Sequence, residues 1–176
     1  MSRTNPYKKK RRHANKTLLI FGEGMNEEVF LKHLRKLYCC DTNVAITIKK
    51  GKGGNSVNIV IDASRVPGGF DRRVVVLDND KPKNEIEKAR DIAKSKGIEL
   101  IENTPCFEYL LLSILDPNKI SNTSAECKKI FESNYINKKQ RKEAYKYDNI
   151  FTKELLEEKR KTIEILGNIL QIMEGN

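Results

Sequence analysis

Arg73-Val74-Val75-Val76-Leu77-Asp78-Asn79-Asp80 is the stretch whose reading decides the fold. Its apolar run is continuous rather than alternating, the pattern of a strand covered on both faces, as in a parallel sheet. It ends on two aspartates one residue apart. Upstream, Leu18-Leu19-Ile20-Phe21 has the same character and leads into Gly22-Glu23. Strands of a parallel sheet end at a common edge, so Glu23, Asp78 and Asp80 are expected to meet there although they are far apart in the chain. Converging carboxylates repel one another unless positive charge lies between them. A divalent metal is the usual solution, and metal-assisted phosphoryl chemistry is its usual purpose.

The neighbouring segments fit the same frame. Strands are predicted at 17–21, 44–48, 73–77 and 98–101, and helices at 26–38, 56–65, 81–96 and 107–115. In the first helix Phe30, Leu34, Leu37 and Tyr38 share one face. Asn26 is expected to cap it, and Glu27 and Glu28 suit its positive end. Gly51-Lys52-Gly53-Gly54 reads as a loop, Val66-Pro67-Gly68-Gly69 as a breaker, and Gly97 as a helix terminator. Four alternations of strand and helix predict an α/β domain over 17–115: a Rossmann-like parallel sheet of about four strands flanked by helices. Ligands of such sheets bind beyond the C-terminal strand ends.

After Asp116-Pro117 the composition turns polar and rich in Lys and Asn, with a short helix expected at 125–131. A last helix is predicted over 151–173. Its apolar stripe Leu155, Leu156, Ile163, Leu166, Leu170 and Met173 either packs on the domain or forms a partner or homodimer interface. Residues 116–176 are read as a C-terminal helical extension.

Of the 34 basic residues, seven lie within 1–16, a stretch with no acid, leaving 27 against 24 acidic residues in the other 160. The first 16 residues are read as a basic disordered tail. Its Lys8, Lys9, Lys10, Arg11 and Arg12 either contact phosphates by displacing counterions or stay solvated. Lys52 and Lys81 flank the acidic edge and carry the same two readings. The glycines at 51, 53 and 54 lack the G-K-[S/T] ending of a Walker loop, which argues against ATP binding. No run of about 18 apolar residues suggests a membrane span, and the basic start lacks the apolar stretch of a secretory signal. Cys39, Cys40, Cys106 and Cys127 show neither C-x-x-C nor zinc-ligand spacing, so reduced thiols in a cytoplasmic protein are expected.

Four of these segments together resemble a family. Phe21-Gly22-Glu23-Gly24-Met25-Asn26-Glu27-Glu28-Val29-Phe30 is similar to the opening acidic motif of Toprim domains, most of all in the form found in the RloB-like (AbiLii-type) family of restriction-linked proteins. Lys50-Gly51-Lys52-Gly53-Gly54-Asn55 resembles the next Gly-containing loop, and Val75-Val76-Leu77-Asp78-Asn79-Asp80 the D-x-D motif. Asn103-Thr104-Pro105-Cys106-Phe107-Glu108-Tyr109-Leu110-Leu111 resembles the downstream NP-x-FE-x-W-LL segment, with Tyr109 in place of the usual aromatic. Asn26 stands where the family usually has threonine. Order and spacing match over about 17–115.

The resemblance implies a Toprim-like fold and a magnesium-dependent site, with manganese as a substitute. Carried over by position, Glu23 is the proton-transfer group and Asp78 and Asp80 ligate magnesium. Glu108 is either an added metal ligand or the structural partner of a buried base. Asp-Asn-Asp before Lys81-Pro82 can also be read as a helix-capping loop, and Glu23 as a turn residue. The chain has no room for a topoisomerase's tyrosine domain or a primase's further modules. The expected activity is therefore phosphodiester hydrolysis of DNA or RNA by a metal-dependent nuclease. The resemblance adds a role in prokaryotic restriction-linked or anti-phage defence and an AAA-type ATPase partner. The competing readings are a non-catalytic nucleic-acid-binding or regulatory subunit of an ATPase–nuclease complex, and a purely protein-binding component.

Overall fold

The computed structural model describes residues 16–39 and 42–176. Tail residues Lys8, Lys9, Lys10, Arg11 and Arg12, with Cys40, lie outside the described residues. Four strands form one sheet: β1 (Lys16–Gly22), β2 (Val44–Lys50), β3 (Arg72–Asp78) and β4 (Glu99–Asn103). All pair in parallel, in the order β2-β1-β3-β4. The helices among the described residues are α1 (Met25–Tyr38), α2 (Ser56–Arg65), α3 (Lys83–Ser95), α4 (Phe107–Leu115), α5 (Ser124–Asn134), α6 (Ala144–Ile150), α7 (Lys153–Lys159) and α8 (Glu164–Glu174), with a 3-10 turn at Pro117–Lys119. The predicted α/β fold with a four-stranded parallel sheet is the fold observed.

Alternation along each strand divides the core. Leu18, Ile20, Ile46, Ile48, Val74 and Val76 join one cluster, built with α1 and α4 to α8. Leu19, Phe21, Val75 and Leu77 turn to the other face, against α2 and α3. Both faces are covered, which is why the central strands read as unbroken apolar runs. Each fully buried Leu, Ile, Val or Phe contributes about 1.5–3 kcal/mol relative to its exposure.

The connections set the place of the site. From β1 the chain passes through α1 to β2 on one side. From β2 it crosses back through α2 to β3 on the other side of β1. The strand order therefore reverses between β1 and β3, and a doubly wound sheet leaves its crevice at that switch point, beyond the C-terminal strand ends. Gly22 pairs with Val76 in the register, so Glu23 and Asp78 emerge side by side. Gly51 N–H donates to Gly22 O at 2.9 Å, which ties the loop after β2 to the same edge.

Three local expectations are corrected. Asn26 lies inside the first turn of α1 rather than capping it. Gly24 is the cap residue, and Glu27 closes the turn by accepting from Gly24 N–H at 3.1 Å. The Asn26 side chain is drawn away to Glu108. The continuous helix expected at 151–173 is instead α7 and α8. Thr152 Oγ1 accepts from Leu155 N–H at 3.3 Å and starts α7 anew, while Thr162 N–H and Ile163 N–H both turn back onto Lys159 O. The break lets the apolar stripe reach one core from two directions: Leu156, Leu166, Leu170 and Met173 are buried, with Leu155 and Ile163 packed beside them. The stripe is thus covered within the chain, the first of the two readings given for it. Third, the polar segment after 116 holds more helix than expected, α5 being longer than 125–131 and α6 following it.

Candidate active site

Glu23, Asp78 and Glu108 reach one cavity of about 240 Å³ at the switch point, together with Asn26, Glu27, Gly53, Lys128 and Arg141. Each acid arrives by a different route: Glu23 from the end of β1, Asp78 from the end of β3, Glu108 from the first turn of α4. Asp80 stands apart at the rim, linked by Lys81 Nζ at 3.4 Å and Lys128 Nζ at 3.9 Å.

Asp78 is the hub. It is 4% exposed. Its Oδ1 accepts from Phe107 N–H at 2.8 Å, satisfying one of the open amides at the start of α4. Its Oδ2 lies 3.5 Å from Lys128 Nζ, and its own N–H donates to Glu23 Oε2 at 3.4 Å. Burial, and then the charge of Glu23, push its carboxyl up to about 7, which Lys128 opposes without overcoming. Burial likewise raises Glu23, against the hydrogen bond from Asp78 N–H. Lys128 is the positive group the converging acids require. Burial works against its charge, but Glu108, Asp78 and Asp80 outweigh that and raise it.

Glu108 Oε1 accepts from Asn26 Nδ2 at 2.7 Å, while its Oε2 is buried without a partner. A buried acceptor left open is costly, and it marks a place where a cation or water belongs. Beside it, Asn26 Oδ1 and Arg141 Nε are buried and unpaired as well. Cys106, at the cap of α4, is also buried; burial pushes its thiol up to about 12, which disfavours the thiolate form.

Sequence reading missed three groups. Glu27 looked like a helix-end charge, yet it is 7% exposed in the cavity wall, and burial followed by the charge of Asp78 lifts its carboxyl to about 8. A weak signal was available, since Glu27 lies one helical turn beyond Glu23. Lys128 and Arg141 come from the extension, where nothing in a Lys-rich run distinguishes them. Of the expected basic contacts, Lys81 sits beside the site in its pair with Asp80, and Lys52 is exposed next to the cavity-lining Gly53.

Among the described residues, no three His, Cys, Asp or Glu side chains are grouped to hold a metal ion. Magnesium needs only one or two carboxylates, its other ligands being waters and substrate oxygens. The donors here are hard oxygens, one of them open on Glu108, so the residues fit such an ion in kind. Among the described residues no helix is long and apolar enough to cross a membrane.

A parallel α/β sheet with an acidic crevice at its switch point defines the class. The family model described as "RloB-like protein" matches residues 18–168, and the chain belongs to that family. No curated protein matches the chain. Among solved structures it is similar to the C-terminal region of the Burkholderia pseudomallei OLD protein, with 14% identity, a TM-score of 0.39, and coverage of 92% of this chain and 87% of that one.

Proposed function

We propose that this protein is a metal-dependent nuclease of Toprim type that hydrolyses phosphodiester bonds in DNA or RNA as part of a prokaryotic defence system. The observation that carries the reading is the meeting of Glu23, Asp78 and Glu108 in one crevice with Lys128 and Arg141. Acids of this kind suit a hydrated magnesium or manganese ion, and basic groups beside them suit a phosphate. Asp78 and, from the rim, Asp80 would hold such an ion, with Glu108 Oε2 as a further donor. When bound, the ion supplies positive charge to the scissile phosphate and to a water. Glu23 moves the proton, since burial brings its carboxyl toward neutrality, where a general acid or base works best. Lys128 and Arg141 orient the phosphate, and Lys81 adds charge at the rim. Family membership supports the defence role and an AAA-type ATPase as partner.

A second reading has its own support. Lys128 already balances Asp78 and Asp80, so the acids could serve a non-catalytic nucleic-acid-binding subunit. Cleavage of labelled single- and double-stranded DNA and RNA, with magnesium or manganese, separates the two. The nuclease reading expects metal-dependent cleavage that Asp78→Ala and Glu23→Ala abolish. Binding in all three proteins, with no cleavage even when the partner ATPase is added, would favour the subunit.

A further inference from the structure

We propose that the groove between α5 and residues 137–141 is the track by which a nucleic-acid backbone enters the carboxylate crevice. It has a volume of about 900 Å³, and Lys128, Lys129, Lys138, Lys139 and Arg141 line it against a single acid, Glu132. That acid is engaged by Arg141, so it does not offset the other four. Lys129, Lys138 and Lys139 are exposed and form no ion pair among the described residues. Lys128 and Arg141 line both the groove and the crevice, so the two adjoin.

The form of the groove selects its occupant. A small anion is held by convergent, buried donors, whereas this channel is open, with long flexible cations spaced along its walls. Such a surface suits an extended polyanion whose phosphates follow one another at regular intervals. Asn137 lines the same groove, and its Nδ2 can donate a neutral hydrogen bond to phosphate or sugar oxygens. At the inner end, Lys128 is paired with Asp78 and Asp80 at 3.5 and 3.9 Å, so the last cation of the track is also the first of the site. The extension thus delivers substrate, a role that neither the tail nor Lys52 need fill. The inference rests on the nuclease reading only for what happens at the end of the track.

The test is binding of a labelled single-stranded oligonucleotide, as DNA and as RNA, by the full chain in EDTA across a salt series. Lys129→Gln/Lys138→Gln/Lys139→Gln is compared with Lys88→Gln/Lys94→Gln/Lys96→Gln, which removes the same charge from α3 and the residue after it, on the opposite face of the sheet. The groove variant is expected to bind about tenfold more weakly or worse at physiological salt. Its log–log salt slope should fall by about two, as for three lost phosphate contacts on a single strand. The α3 variant should behave as wild type. Equal weakening in both, or wild-type affinity and slope in the groove variant, would overturn the track. Groove-dependent binding in EDTA, with no cleavage once magnesium or manganese and an ATPase partner are supplied, would sink the nuclease reading and leave the track standing. Full cleavage by the groove variant would do the reverse.

Discussion

Glu27 shows how one buried carboxyl can couple the site to stability. In the fold it keeps its proton to about 8, against an ordinary value of 4.5. Between those values the unfolded chain has released a proton that the folded chain still holds, so folding stability falls as pH rises through the window. Glu27→Gln keeps an acceptor for Gly24 N–H and removes the charge. Thermal melts should show the variant equal to wild type near pH 4.5 and more stable at pH 8, by on the order of a few kcal/mol. Equal melting temperatures at pH 8 would mean that Glu27 is charged and compensated. Gly22 makes a steric prediction at the same corner. A Cβ there would stand 2.6 Å from Glu27 Cβ, and neither atom is the tip of a flexible chain. Gly22→Ala should therefore cost about 1–3 kcal/mol by overpacking. On the nuclease reading it should also depress cleavage, because Gly22 directly precedes Glu23 in the chain. An unchanged melt would show that the turn yields freely.

At the scale of elements, the break between α7 and α8 is held by charge as well as by apolar packing. Arg160 places Nη1 2.6 Å from Glu174 Oε1 and Nη2 2.8 Å from Oε2, with Glu157 alongside. The hydrogen bonds from Arg160 lower the Glu174 carboxyl below its ordinary value. A lowered acid stabilises the fold above its unfolded value and loses that contribution as pH falls through its folded one. Arg160→Gln should then lower stability near pH 7 by about 1 kcal/mol, as befits a partly exposed pair, and the gap should close at strongly acid pH. Denaturant titrations at both pH values measure it; a gap that persists in acid would assign the loss to the arginine's packing. This turn was hidden in the sequence for a physical reason. Spacings of three, four and seven among Leu156, Ile163, Leu166, Leu170 and Met173 are satisfied by one helix or by two that converge on one core, and hydropathy does not separate them. The central strands were legible because Val74 to Leu77 and Leu18 to Phe21 are apolar without interruption, which only a doubly covered sheet requires. Gly97 was legible because a positive φ, here 62°, terminates α3 at a position that favours glycine.

On the scale of the whole molecule, the extension belongs to the core and to the site. Phe131, Tyr147, Phe151, Leu166 and Met173 are in one cluster with Leu18, Ile20, Phe30 and Phe107. Phe151 meets Phe30 edge-on at 4.9 Å between ring centroids, and His33 on α1 contacts both Asp148 and the Phe151 carbonyl, at 2.9 and 2.7 Å. Glu23, Asp78 and Glu108 were legible because strand ends and a family motif mark them. Lys128 and Arg141 were not, because only the folding of α5 to α8 over the sheet face carries them to the crevice. The boundary drawn at 116 from a change in composition is therefore a boundary in polarity, while packing continues across it. A chain ending at residue 116 would bare the face of Leu18, Ile20, Val74 and Val76 and the inner sides of α1 and α4. At about 25 cal/mol per Å² of apolar surface, baring roughly 600 Å² is enough to cancel the 5–15 kcal/mol net stability of a typical domain. The full chain should unfold in one cooperative transition, seen alike by circular dichroism and by tyrosine fluorescence. The truncated chain should show no such transition and should bind a dye for exposed apolar surface. A cooperative melt from residues 1–116 alone would mean instead that the sheet needs only α1 to α4, and that the extension is a module added for its cations.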